Sequence, residues 1–167
     1  MGRRTAAFAI DWAVAWLLSF PFGSTGAGVP VAQGVIFLLV WLLSRIYVPY
    51  QNQGQTLGRW ALDMRVIERR SSRVPGLFEL VKRESVTGVG ALLVVMTLGN
   101  LTIANPGIVL LAVPLFADCL PAWLDPDQRL AFHDRVARTA IVSARRGYSL
   151  DLKLKRLLAE VSRRMKQ

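Results

Sequence analysis

One cysteine, one histidine and eleven acidic residues against twenty-one basic ones are the scarcities that first limit this chain of 167 residues. The single thiol, Cys119, excludes an internal disulfide and a cysteine-based metal cluster, and fits a small buried filler. The single histidine, His133, excludes sites that need paired imidazoles, so no metal is expected. No nucleophile elbow, Walker loop, dinucleotide fingerprint or zinc spacing occurs, which sets aside enzyme activity and a cofactor as expectations. Gly54-Gln-Thr-Leu-Gly-Arg-Trp60 resembles a phosphate loop only superficially, lacking its length and its Gly-Lys-Ser/Thr ending. No internal repeat is visible. The shortage of acids leaves a formal charge of +10. The basic residues flank apolar segments, where membrane orientation and anionic lipid explain them better than nucleic acid, which is not expected as a partner.

What the chain has in excess is apolar sequence: 53% hydrophobic residues is more than a soluble domain of this size carries, and the surplus belongs in lipid. Four segments, roughly 5–22, 30–49, 86–104 and 107–124, approach the ~20 residues that cross a bilayer core as helix. The first has the basic start of a signal peptide but holds Asp11 and no small-x-small cleavage pattern, so it reads as a retained helix. The connections 23–29 and 104–107 carry no charge, whereas the 50–84 connection and both ends are rich in arginine and lysine. The positive-inside rule then puts both termini and the middle loop in the cytoplasm. The expected fold is an all-α membrane protein with about four transmembrane helices and a small cytoplasmic layer of amphipathic helices.

Within that layer, Thr56 is placed to cap a short helix, and residues 62–67 and 137–142 are candidates for two short paired strands. Residues 77–84 read as an amphipathic surface helix leading into the third span. Trp41, Tyr47 and Tyr50 read as interfacial aromatics, with Arg45 reaching for the surface. The tail, 146–167, is a basic amphipathic stretch suited to an anionic leaflet or a partner, set apart from a membrane domain over 1–145. Asn100-Leu-Thr102 fits a glycosylation sequon by chance.

An acid inside an apolar helix costs several kcal/mol unless paired, hydrated or protonated, so Asp11 is a candidate site residue. It lies about six residues, ~9 Å of helix, from the inner end of the first span. Arg45 and Asp118 lie at similar depths in the second and fourth. Two readings stand: the three share a site whose spare negative charge takes a proton or small cation, or Arg45 neutralises one acid and the set locks helix packing. Arg4 leans away from Asp11 along the helix, and a pair with Asp134, stapling the chain's start to its end, is easier. His133 beside Asp134 suits a structural or capping role better than a catalytic one, since adjacent helical residues do not face each other.

Three pieces together resemble the RDD family of small membrane proteins, named for an arginine and two aspartates. They are Arg4 with Asp11, then Gly54-Gln-Thr56 with Gly58 and Arg59 followed by Met64-Arg-Val-Ile67, then Phe132-His-Asp-Arg135 with Thr139 and Val142. The resemblance makes Arg4, Asp11 and Asp134 the motif residues, and Gly54, Gln55, Thr56, Gly58, Arg59, His133 and Arg135 a structural motif of the cytoplasmic layer. Arg59 stands where lysine is more usual. The resemblance implies a polytopic protein of a prokaryotic-type plasma or internal membrane, with transport proposed for the family. Two functions follow as expectations. One is proton- or cation-coupled transport through the intramembrane acids, in a homo-oligomer. The other is a non-enzymatic assembly or accessory subunit of a larger membrane complex. A lipid-interacting enzyme ranks below both.

Overall fold

The computed structural model describes residues 2–23, 29–101, 106–125 and 130–144. The tail 146–167, the turn after Asp125, Thr102 of the sequon and most of the two uncharged connections lie outside the described residues. In chain order the elements are α1 (Gly2–Phe22), α2 (Val31–Gln51), α3 (Leu57–Ala61), β1 (Met64–Glu68), α4 (Leu77–Asn100), α5 (Pro106–Leu124), α6 (Phe132–Val136) and β2 (Thr139–Ser143). Of these, α1, α2 and α5 are long and apolar enough to cross a membrane. The segments expected at 77–84 and 86–104 form one unbroken helix, α4, that ends at Asn100. Its first turns carry Glu79, Lys82, Arg83 and Glu84, which lowers the hydropathy of an otherwise apolar rod.

The helices meet along stripes of small and aromatic residues. On α1 the buried positions are Ala7, Asp11, Ala15 and Ser19, and on α2 they are Gln33, Phe37, Trp41, Arg45 and Pro49, both with a spacing of four. Ala15, Phe37, Trp41, Ala91 and Val95 form an apolar cluster. Trp41 is wholly buried, stacked on Phe37 at 5.8 Å and edge-on to Phe8 at 5.4 Å, so the interfacial role expected for it is overturned. Gly88 of α4 faces the Trp41 indole; a β-carbon there would stand 3.0 Å from the ring. Tyr47 and Tyr50 are exposed, as interfacial aromatics are. Outside this packing the helices show Leu17, Leu39, Leu110 and Phe116 to their surroundings, the exposed apolar surface that lipid covers.

Near Arg45 the winding of α2 changes. Leu43–Tyr47 is a π-helical turn, directly ahead of Pro49. Proline cannot donate to the carbonyl four residues back and its ring crowds that carbonyl, so a wider turn relieves the clash.

At this end of the bundle β1 and β2 pair antiparallel, with Val66 opposite Ile141. Each strand starts later than its apolar pattern, because Leu62-Asp63 and Ala137-Arg138 finish a short helix first. Asp63 and Arg138 take left-handed backbone, φ 57° and 53°. The two helix-turn-strand units correspond position by position at one interval of 75 residues: Leu57 to Phe132, Asp63 to Arg138, Met64 to Thr139. Val66 and Ile141, which face each other, are themselves one such pair. An internal repeat is therefore present in the backbone although the two sequences hide it.

Candidate functional site

The site is built where α1, α2, α4 and α5 reach the repeated units. A carboxylate from a long helix caps each short one. Asp11 Oδ1 accepts the Gly58 N–H at 2.7 Å, and Asp118 Oδ1 accepts the His133 N–H at 2.9 Å. Positions 58 and 133 again differ by 75. The first contact requires a glycine: a β-carbon on Gly58 would overlap the Ala7 carbonyl oxygen and press on Asp11. At the second, a side chain fits and returns to its cap, with His133 Nδ1 at 2.5 Å from Asp118 Oδ2.

Asp11 also accepts Thr56 Oγ1 at 2.6 Å and Arg45 Nη1 at 2.9 Å, while Thr56 Oγ1 itself accepts the Arg59 N–H as the cap of α3. Arg45 is 3% exposed. Its guanidinium lies over the Trp41 and Phe8 rings at 4.7 and 5.2 Å, and it points into the protein, contrary to the expected reach for the surface. Its second carboxylate partner is Glu84, through Nε at 2.7 Å and Nη2 at 3.4 Å. Glu84 thus takes the position that the sequence assigns to Asp118, whose two oxygens are engaged by His133. Asp11 and Arg45 meet; the three expected residues do not form one set.

Glu84 collects three arginines. Besides Arg45, Arg59 Nη2 lies 3.4 Å and Arg83 Nε 3.2 Å from Oε1, and Thr87 donates to Oε2 at 2.8 Å. Arg83 continues outward to Asp134 (Nη1 to Oδ1, 2.8 Å), Thr139 (3.2 Å) and His133 Nε2 (3.2 Å). A guanidinium can only donate, so Nε2 is the acceptor and Nδ1 carries the proton toward Asp118, an assignment drawn from the network. Arg4 donates to the Ile141 carbonyl at 2.8 Å, tying the chain's first turn to its last described strand. Arg83 is the close partner of Asp134. Gln55 is buried and donates to the Met64 carbonyl at 3.0 Å, and Gly54, at φ 81°, has no room for a side chain against Val66. Arg135 stands apart, in a half-exposed pair with Asp125 at 3.3 Å.

Arg83 and Glu84 are absent from the sequence-derived set, although a signal exists. Leu80, Glu84, Thr87, Ala91 and Val95 recur at helical spacing, so Glu84 shares a face with core residues.

Two groups on the repeated units have shifted protonation. Burial pulls Arg59 down to about 9, with Arg45 and Arg83 beside it acting in the same direction against Glu84 and Asp11. It remains a cation at neutral pH. Burial would raise Asp134, but Arg83, with Arg4 and Arg59 farther off, outweighs it and holds the carboxyl below its ordinary value. A lowered acid adds stability that is fully present above the unfolded value of about 3.9 and is lost as pH falls toward the folded one. In a titration of detergent-solubilised protein, Tm should therefore hold at neutral pH and drop below about pH 4. The part of that drop due to this carboxyl should be missing in Asp134→Asn, which starts less stable.

A cavity of about 120 Å³ adjoins the network, lined by Arg4, Arg59, Arg83, Asp134, Cys119 and Trp123 among others. No group of three or more potential metal-ligating side chains occurs among the described residues. Among family models, the one described as the RDD family matches residues 1–138. No curated protein and no solved structure matches the chain.

Proposed function

The chain belongs to the RDD family, and on that premise we propose that this membrane protein is a non-enzymatic assembly or accessory subunit. It crosses a prokaryotic-type plasma or internal membrane four times, through α1, α2, the apolar part of α4 and α5. The paired strands and both termini lie on the cytoplasmic side among anionic headgroups. The positive-inside distribution of arginine and lysine supports that orientation. One observation carries the functional reading: the carboxylates of the buried layer are held by fixed partners, Asp11 by Arg45, Glu84 by Arg45, Arg59 and Arg83, and Asp134 by Arg83, while Asp118 accepts two hydrogen bonds from His133. A transport acid must exchange its counter-ion during the cycle, and separating a buried pair costs about 3–5 kcal/mol. Between that layer and the buried Ser19, Gln33 and Thr97 stands the apolar cluster around Phe37 and Trp41. The charges tie long helices to a fixed platform, on which a partner docks.

Transport coupled to protons or cations is the second reading, favoured by the cavity beside the charged layer. Reconstituted alone in vesicles, the protein should give no more pH- or cation-driven flux than protein-free vesicles. Extracted from its own membrane in mild detergent, it should run larger than one chain with its detergent belt. Flux above the vesicle background would replace the subunit reading, and its loss in Asp11→Asn would route it through this layer.

A further inference from the structure

The cavity is walled unlike a packing defect. Arg4, Arg45, Arg59 and Arg83 line it against one carboxylate, Asp134. A buried donor without a partner among the described residues lies on Arg59. This residue is 2% exposed, its contact with Glu84 is long and shared with two other arginines, and its Nη1 has no hydrogen-bond partner among the described residues. Arg83 Nε is close to Glu84 but poorly aligned for a hydrogen bond. A buried N–H of a cation without an acceptor is costly, and an oxyanion is the group that repairs it, since guanidinium forks match phosphate and carboxylate oxygens.

Size and lining narrow the choice. The volume is several times the ~10–15 Å³ that admits one water, enough for a phosphate group and its first ester atoms. Apart from Thr5 and His133 the remaining wall is apolar, with Phe8, Met64, Cys119 and Ile141, and Trp123 beside them is 67% exposed. An oxyanion that carries an apolar substituent suits such a wall.

We propose that the cavity between α1, α5 and the paired strands is a binding site for a phosphate-bearing anion, its oxygens seated on Arg59 and Arg83. The phosphate comes either from a lipid headgroup or from free phosphate. This site is independent of the subunit reading; a protein that transports nothing and one that transports ions can both hold it.

Cys119 is the chain's only thiol and lines the cavity, so its reaction with N-ethylmaleimide reports occupancy. The full chain is purified in a sugar-headgroup detergent and labelled with inorganic phosphate, with dihexanoyl phosphatidic acid, or with sodium chloride at matched ionic strength. At about ten times Kd, bound ligand should slow labelling roughly tenfold. Slowing by both phosphate compounds assigns free phosphate, and slowing by phosphatidic acid alone assigns a headgroup. No slowing, or equal slowing by chloride, overturns the site. Arg59→Gln should weaken the effective ligand roughly tenfold to a hundredfold. Since that change also touches Glu84, Ala122→Leu serves as a second variant: it fills the cavity and leaves every arginine in place. The ligand-induced rise in Tm should vanish in Ala122→Leu, and a full rise there would place binding elsewhere and overturn the proposal.

Discussion

Glu84→Gln should be among the most damaging single changes in the molecule, at about 3–5 kcal/mol. It leaves Arg45, Arg59 and Arg83 gathered around a neutral amide, all of them 3% exposed or less. The amide oxygen can still accept one or two of the donors, but the charge that balanced three guanidinium groups is gone. Five tryptophans give an intrinsic signal for thermal unfolding in detergent. The expected result is a large fall in Tm or failure to purify as one species. Adding Arg59→Met should return part of the loss, because it removes the least satisfied cation and puts apolar volume in its place. An unchanged Tm in Glu84→Gln would mean that the layer is far wetter than its burial indicates.

Gly58→Ala is the second large effect, and it acts through shape with no change in charge. The added methyl would coincide with the Ala7 carbonyl oxygen and crowd Asp11 Oδ1 at 3.0 Å, so α1 and α3 must separate. Separation also lengthens the Gly58 N–H bond to Asp11. Overpacking of this kind costs about 1–3 kcal/mol or more, and loss of the bond to a charged acceptor adds about 1.5–3 kcal/mol. Gly34→Ala is the matching control. A β-carbon there meets only Leu92 Cδ1, at an ordinary 3.7 Å, and alanine in a helix interior gains up to about 1 kcal/mol over glycine. Unfolding curves of the two variants should move in opposite directions. If Gly58→Ala kept the wild-type Tm, the close seating of α3 on α1 would be wrong.

Asp11 was recognisable in the sequence because an acid in an apolar run has no inexpensive explanation, and Arg45 because it is the cation at a similar depth. The short strands and the Thr56 cap were legible for a comparable reason: each depends on a local pattern that survives whatever the rest of the chain does. Glu84 was not, since a charge beside Lys82 and Arg83 looks like solvated helix surface until its face is counted against Leu80 and Ala91. Asp118 was misassigned because depth along a helix says nothing about azimuth; its face turns to α6 and His133. The repeat escaped for a different reason. Helix, left-handed turn and strand are specified by backbone demands that Leu57-Gly-Arg-Trp-Ala and Phe132-His-Asp-Arg-Val meet with different side chains, so the correspondence exists in φ and ψ and not in letters.

The second long helix is not free to change its length. Gln33, Phe37, Trp41, Arg45 and Pro49 advance four residues at a time, and each step overshoots a full α-helical turn by about 40°. The surplus residue in the wide turn over Leu43–Tyr47 takes up part of that overshoot and keeps the guanidinium in phase with the two aromatic rings before it. Inserting one more residue between Trp41 and Arg45 would rotate everything beyond it by about 100° and swing a permanent cation from its carboxylates toward hydrocarbon. Within this protein, then, an insertion just ahead of Arg45 carries the weight of a charge reversal, while the outward apolar side chain of Leu43 in the same turn can be exchanged for another at little cost.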